Sequence, residues 1–179
     1  KSPTLQNEWE GLAGLPDWAR IWNALFTSVT TRTAGFDTVQ PSVFSELGKI
    51  LMIALMVIGA SPASTGGGIK TTTLGVLAVA AWNEMLGRDE NVFWHGKIGY
   101  HTVRRALAMS FMYLITFFIG AVVLSLIEDF SFESLLFEAV SAMGTVGLSL
   151  GITSELSVAG KMVLVALMFW GRVGILSFF

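Results

Sequence analysis

Residues 59–70 read GASPASTGGGIK and interrupt an otherwise apolar stretch, with ILMIALMVIGA (50–60) before them and TTTLGVLAVAAW (71–82) after. Pro62 withholds a backbone donor, and Gly66, Gly67 and Gly68 each give up about 1 kcal/mol of helix propensity. Ser61, Ser64 and Thr65 can satisfy some of the backbone groups this frees. The region 50–82 is long enough to cross a bilayer, but neither half is. Irregular backbone survives at membrane depth only where it faces protein or a water-filled path. The stretch therefore predicts a broken spanning helix whose central loop lies across such a path.

Composition agrees with a membrane setting. Of 179 residues, 53% are hydrophobic and only 13% charged, where a soluble domain has about 25% charged. The fold class expected is all-α integral membrane. A net charge of −2 gives no basic field for nucleic acid, and the absence of cysteine removes disulfides and thiol chemistry. Enzyme readings of the loop fail on spacing. In GGGIKTTT, Ile69 separates Gly68 from Lys70, where a phosphate loop needs Gly-Lys-Ser/Thr in succession. A serine nucleophile at Ser61 or Ser64 needs a base, and the two histidines, His95 and His101, lie in one distant polar segment. No enzyme and no bound cofactor are expected. The alternative kept from another class is a membrane-embedded enzyme or assembly module without ion flux.

Residues 106–127 run for a full span without a charge, and 158–179 form a second candidate, interrupted by Arg172. Stretches near 21–31 and 131–143 are too short to cross and read as re-entrant half-helices. Segment 83–105 carries Arg88, Lys97, Arg104 and Arg105, whereas 128–161 is acidic with one lysine. The positive-inside tendency places 83–105 in the cytoplasm and 128–161 outside. The polar opening KSPTLQNEWEGL and the apolar end WGRVGILSFF suggest a piece of a longer protein.

An ungapped offset of 112 residues pairs Asp17 with Asp129, Thr33 with Thr145, Gly35 with Gly147, Gly48 with Gly160, Lys49 with Lys161 and Gly59 with Gly171. Each half then reads as short helix, polar hairpin and spanning helix. The hairpins share Thr-x-Gly followed by a large apolar residue: Thr33-Ala34-Gly35-Phe36 and Thr145-Val146-Gly147-Leu148. Glycine permits a backbone that turns carbonyls toward one axis, where they can replace the hydration shell of a potassium ion. Arg32 is expected behind the first hairpin, holding it by hydrogen bonds. Asp37, whose counterpart Ser149 is neutral, reads first as a solvated loop acid. On the same offset Arg172 falls on Ala60, at the depth of the loop, a candidate positive barrier beside Gly66–Gly68; Lys70 reads either as a second barrier charge or as a lysine snorkelling inward, the latter slightly favoured.

The helix–hairpin–helix units, the single hairpin glycine in each and the broken helix resemble the Trk/Ktr/HKT superfamily of potassium transporters, and within it the membrane subunit of bacterial Ktr systems. The resemblance covers nearly the whole chain. It implies a potassium-channel-like pore of four repeats, of which this chain holds the third (1–86: pore helix 21–31, filter 32–38, broken inner helix 42–86) and the fourth (106–179: outer helix 106–127, pore helix 131–143, filter 144–151, inner helix 158–179). Residues 87–105 connect them in the cytoplasm, and the filter mouths are extracellular. Potassium would sit at filter carbonyls around Gly35 and Gly147, with Gly66, Gly67, Gly68, Lys70 and Arg172 forming a gate. TAGFD and TVGLS lack the second glycine of TVGYG, which implies fewer ordered carbonyl sites. The resemblance further implies a bacterial cell membrane, surrounding lipid, a homodimer, a cytosolic nucleotide-binding regulatory ring and sodium as a candidate coupling ion.

Overall fold

A computed structural model describes residues 16–62, 66–87, 92–93 and 96–173. The readings made for Ser64, Thr65, Arg88, His95 and the 174–179 end of the last helix lie outside the described residues.

The described chain is mostly helical, in the order α1 (Asp17–Thr30), a 3-10 turn (Pro41–Val43), α2 (Glu46–Val57), α3 (Thr71–Met85), a two-stranded hairpin β1 (Val92–Phe93) and β2 (Gly96–Lys97), α4 (Tyr100–Ile127), α5 (Phe132–Met143) and α6 (Val158–Val173). The antiparallel hairpin pairs Val92 with Lys97 and Phe93 with Gly96. It is a small departure from an all-α reading, too short for an alternating pattern to announce it. Among the described residues α4 alone is long and apolar enough to cross a membrane. It starts at Tyr100 rather than 106, because the extra turn carries Arg104 and Arg105 without breaking the helix.

Local chemistry sets the helix starts. Pro16 in extended backbone opens α1, whose Asp17 sits in the positive first turn. Ser45 caps α2 by accepting from the Gly48 amide at 3.3 Å, and Ser157 accepts from the Gly160 amide at 3.1 Å at the start of α6. These two caps stand 112 residues apart.

The centre of the molecule is α5, which packs against α2, α4 and α6. Leu135, Phe137, Ala139, Val140 and Met143 on it are wholly buried. In lipid, helix association rests on close packing and small residues rather than on expulsion of water. The chain uses glycine this way. A Cβ at Gly120 would lie 2.7 Å from a Leu167 methyl, and one at Gly160 would strike the Glu128 carboxylate. That carboxylate accepts from the Ser157 amide (3.0 Å) and hydroxyl (2.6 Å), fastening the end of α4 to the start of α6. By contrast α1 presents Trp18, Ile21, Trp22, Leu25 and Val29 as an exposed apolar stripe.

Candidate functional site

Two hairpins leave the C-terminal ends of α1 and α5 and meet. Thr33 has φ of 72° and Gly35 of 73°; Thr145 has 55° and Gly147 has 92°. These are the described non-glycine residues with positive φ, and both are β-branched, for which the left-handed region is a true outlier. Such strain amounts to about 1–3 kcal/mol a residue and persists where the surroundings impose it, commonly at functional sites. The hairpins touch at their glycines. A Cβ on Gly35 would strike the Val146 carbonyl oxygen, and one on Gly147 would lie 3.8 Å from the Gly35 Cα. Val146 and Leu148 are buried in the core around α5, whereas Phe36 is 72% exposed. At one end of the pair is a cavity of about 230 Å³ lined by Gly35, Asp37, Gln40, Ser42 and residues 147–151.

At the other end sits the glycine loop. The Gly67 amide donates to Thr145 Oγ1 at 2.8 Å. A Cβ on Gly66 would lie 2.5 Å from the Thr33 Cγ2, and one on Gly67 2.6 Å from the Met143 carbonyl oxygen. The loop thus fits only as bare backbone between both hairpin threonines and the end of α5. Its base is clipped shut by Gly59 N–H to the Ile69 carbonyl (2.9 Å) and Ile69 N–H to the Val57 carbonyl (3.0 Å). Gly68, at φ 84°, packs so closely on Gly59 that neither tolerates a side chain.

The charged candidates divide. Lys70, at the start of α3, donates to the Gly66 carbonyl at 2.6 Å, so its ammonium braces the loop. Gly171 presses on the same Met143 carbonyl that Gly67 meets. Arg172, one residue on, is largely exposed.

What holds each hairpin was only partly foreseen. Among the described residues the exposed Arg32 guanidinium has no hydrogen-bond partner, against the expectation that it would hold the first hairpin. The shorter Thr30 is better placed, because it closes α1: its Oγ1 donates to the Phe36 carbonyl at 2.5 Å, and its carbonyl accepts from the Ala34 and Gly35 amides. The second hairpin is held by Glu138, only 4% exposed. Its carboxylate accepts from the Ser149 hydroxyl (2.5 Å), the Thr153 hydroxyl (2.8 Å) and the Leu150 amide (3.2 Å). Sequence offered one signal for it, a lone acid inside the apolar run SLLFEAVSAM (134–143). Bonds to a charged acceptor contribute about 1.5–3 kcal/mol each. Glu138→Gln is expected to lower the thermal unfolding temperature of the protein by loosening the second hairpin. An unchanged melting curve would leave Glu138 without this role.

Farther out, Lys49 joins Glu46 (3.1 Å) and Glu133 (3.5 Å), tying the N-terminal ends of α2 and α5 together. The mutual interaction of the two neighbouring carboxyls draws Glu46 below the usual carboxylate range and lifts Glu133 above it, with Lys49 favouring the ionised form of both. Both side chains are solvent-accessible, at 73% and 35%, so the link contributes little to stability.

Residues 12–179 match the family model of the TrkH cation transport proteins. The chain belongs to the TrkH family. Over 159 residues it is 39% identical to the Ktr system potassium uptake protein B of Bacillus subtilis (strain 168), covering 89% of this chain and 36% of that protein. It is 40% identical over 162 residues to the potassium/sodium uptake protein NtpJ of Enterococcus hirae, covering 88% and 36%. The Ktr system potassium uptake protein B of Vibrio alginolyticus is 38% identical over 154 residues, covering 86% and 34%. The chain therefore spans about a third of the length of these relatives. TrkH proteins are membrane cation transporters rather than enzymes, in keeping with the failed enzyme readings of the loop.

Proposed function

We propose that this TrkH chain carries two quarters of a potassium-selective pore and its gate. The observation that carries the proposal is an order in space. The cavity beside Asp37 leads to the Gly35 and Gly147 hairpins, these lead to the strained Thr33 and Thr145, and the Gly66–Gly67 backbone seals the far end. In a strand successive carbonyls point to opposite sides. A left-handed residue at every second position undoes that alternation, so that carbonyls of 33–36 and 145–148 can converge on an ion. The C-terminal, partly negative ends of α1 and α5 lie at the same place and favour a cation.

Residues 1–86 then form the third and 106–179 the fourth of four helix–loop–helix repeats, with 87–105 on the cytoplasmic side and the hairpin mouths outside. The relatives' greater length supports two further repeats in the full protein. Potassium in their names supports the cargo, and sodium in the name of NtpJ supports it as a coupling ion. The description of two relatives as components of a Ktr system supports a cytosolic regulatory ring, and we place the full protein in the bacterial cell membrane as a homodimer.

The test is potassium flux from lipid vesicles holding the full-length protein. Selective efflux over sodium is expected, and vesicles no leakier than protein-free ones would sink the reading. Within it, Arg172 adds a positive charge near the loop. Basal flux is expected to rank Arg172→Ala above Arg172→Lys above the parent, since lysine restores the charge without the forked geometry. Equal flux in all three would remove Arg172 from the gate.

A further inference from the structure

Behind the loop, on the side away from the hairpins' cavity, lies a second cavity of about 200 Å³. The loop's Gly68, Ile69 and Lys70 form one wall. Thr73 of α3, Met109, Ser110 and Tyr113 of α4, the Met143 end of α5, and Trp170 and Gly171 of α6 form the others. The lining is mainly apolar, but it contains a polar anomaly. Ser110 and Tyr113 are 8% and 5% exposed, and neither hydroxyl has a hydrogen-bond partner among the described residues. Three positions apart, they share one face of α4. Buried hydroxyls are nearly always satisfied, so two adjacent exceptions on one cavity wall call for a ligand.

We propose that this cavity is a binding site for a small neutral amphiphile of the phenol class, and that its occupancy holds the loop shut. The second half rests on the reading of the loop as a gate. The chemistry of the walls selects the ligand. Among the described lining residues there is no carboxylate, and Lys70 is cationic, so the site is not a resting place for the transported cation. The Lys70 ammonium is engaged by the Gly66 carbonyl, and an anion brought to this depth would lose its hydration. A neutral hydroxyl avoids that loss and can both donate to and accept from Ser110 and Tyr113. The size fits one ring, since a dry cavity of about 150 Å³ admits benzene. A ring against Met109, Met143 and Ile69 would pack on Gly68–Lys70 from behind and so favour the loop position in which Gly67 meets Thr145.

The probe is 4-fluorophenol, titrated by fluorine NMR against the full-length protein in lipid nanodiscs, with vesicle flux measured in parallel. Saturable binding is expected. Tyr113→Phe, which removes one hydroxyl and keeps the ring, should weaken it roughly three- to tenfold. Ser110→Leu, which fills the cavity, should abolish it. Flux should fall over the concentrations that saturate the parent and stay unresponsive in Ser110→Leu. Equal binding by all three proteins would show the phenol merely partitioning into lipid or elsewhere, and would overturn the site. Saturable, variant-sensitive binding with unaltered flux would overturn its coupling to the loop. Failure of the gate reading itself is separable, because binding is read by NMR without reference to flux.

Discussion

Deleting Gly66–Gly68 is expected to raise basal potassium flux by about five- to 150-fold while leaving ion preference intact. The deletion removes the Gly67 bond to Thr145 and the Gly66 carbonyl that Lys70 grips. At about 0.5–1.5 kcal/mol for each bond, closure loses about 1–3 kcal/mol, and each 1.36 kcal/mol is tenfold in rate. The backbone plug between Thr33 and Thr145 disappears with it. The hairpins keep their own supports, Thr30 and Glu138, so selectivity should survive. Rubidium-86 efflux from vesicles, measured on protein that remains monodisperse and melts cooperatively, decides the matter. Parental flux in such a variant would mean that the loop does not gate.

The second large effect concerns the hairpin glycines, which should not respond alike. Both lie at positive φ, so any side chain meets strain of about 1–3 kcal/mol. At Gly35 a Cβ would also collide with the Val146 carbonyl, whereas at Gly147 the nearest atom lies 3.8 Å away. Gly35→Ser is therefore expected to abolish the preference for potassium over sodium, because it displaces a carbonyl of the opposite hairpin. Gly147→Ser should reduce that preference about tenfold, from strain alone. Relative permeability from reversal potentials in planar bilayers distinguishes them. Equal and parental ratios for both variants would remove the glycines from the selective part of the pathway.

Features carried by backbone rules were legible before any coordinates. Proline and three glycines in an apolar run announced the loop at 59–70, and two Thr-x-Gly strings 112 residues apart announced the hairpins. Positive φ then appears at Thr33, Gly35, Thr145 and Gly147. The supports were less visible because they are not repeated. Glu138 stands opposite Phe26 in the offset, and Thr30 opposite Ala142, so comparison of the halves cancels what holds each hairpin. Glu138's partners lie 11–15 residues downstream, beyond any helical periodicity. Arg32 misled for a related reason. Its charge beside the hairpin suggested a clamp, but Thr30 reaches the Phe36 carbonyl with one rotatable bond and leaves the guanidinium exposed. The short pairing of 92–93 with 96–97 is too brief for pattern to reveal.

The contact between Thr33 and Gly66 offers the most direct test of a pathway sealed by the loop. A Cβ built on Gly66 lies 2.5 Å from the Thr33 Cγ2, so cysteines at both positions are within reach of a disulfide, whose Cβ atoms stand about 3.5–4.5 Å apart. The measurement is rubidium efflux from vesicles containing the full-length Thr33→Cys, Gly66→Cys double variant, before and after oxidation and again after reduction. Oxidation is expected to suppress flux to the protein-free level, and a reductant to restore it, with each single variant indifferent to both treatments. A cross-link that forms in full while flux continues undiminished would contradict the account, because ions would then be crossing somewhere other than past the glycines and threonines described here.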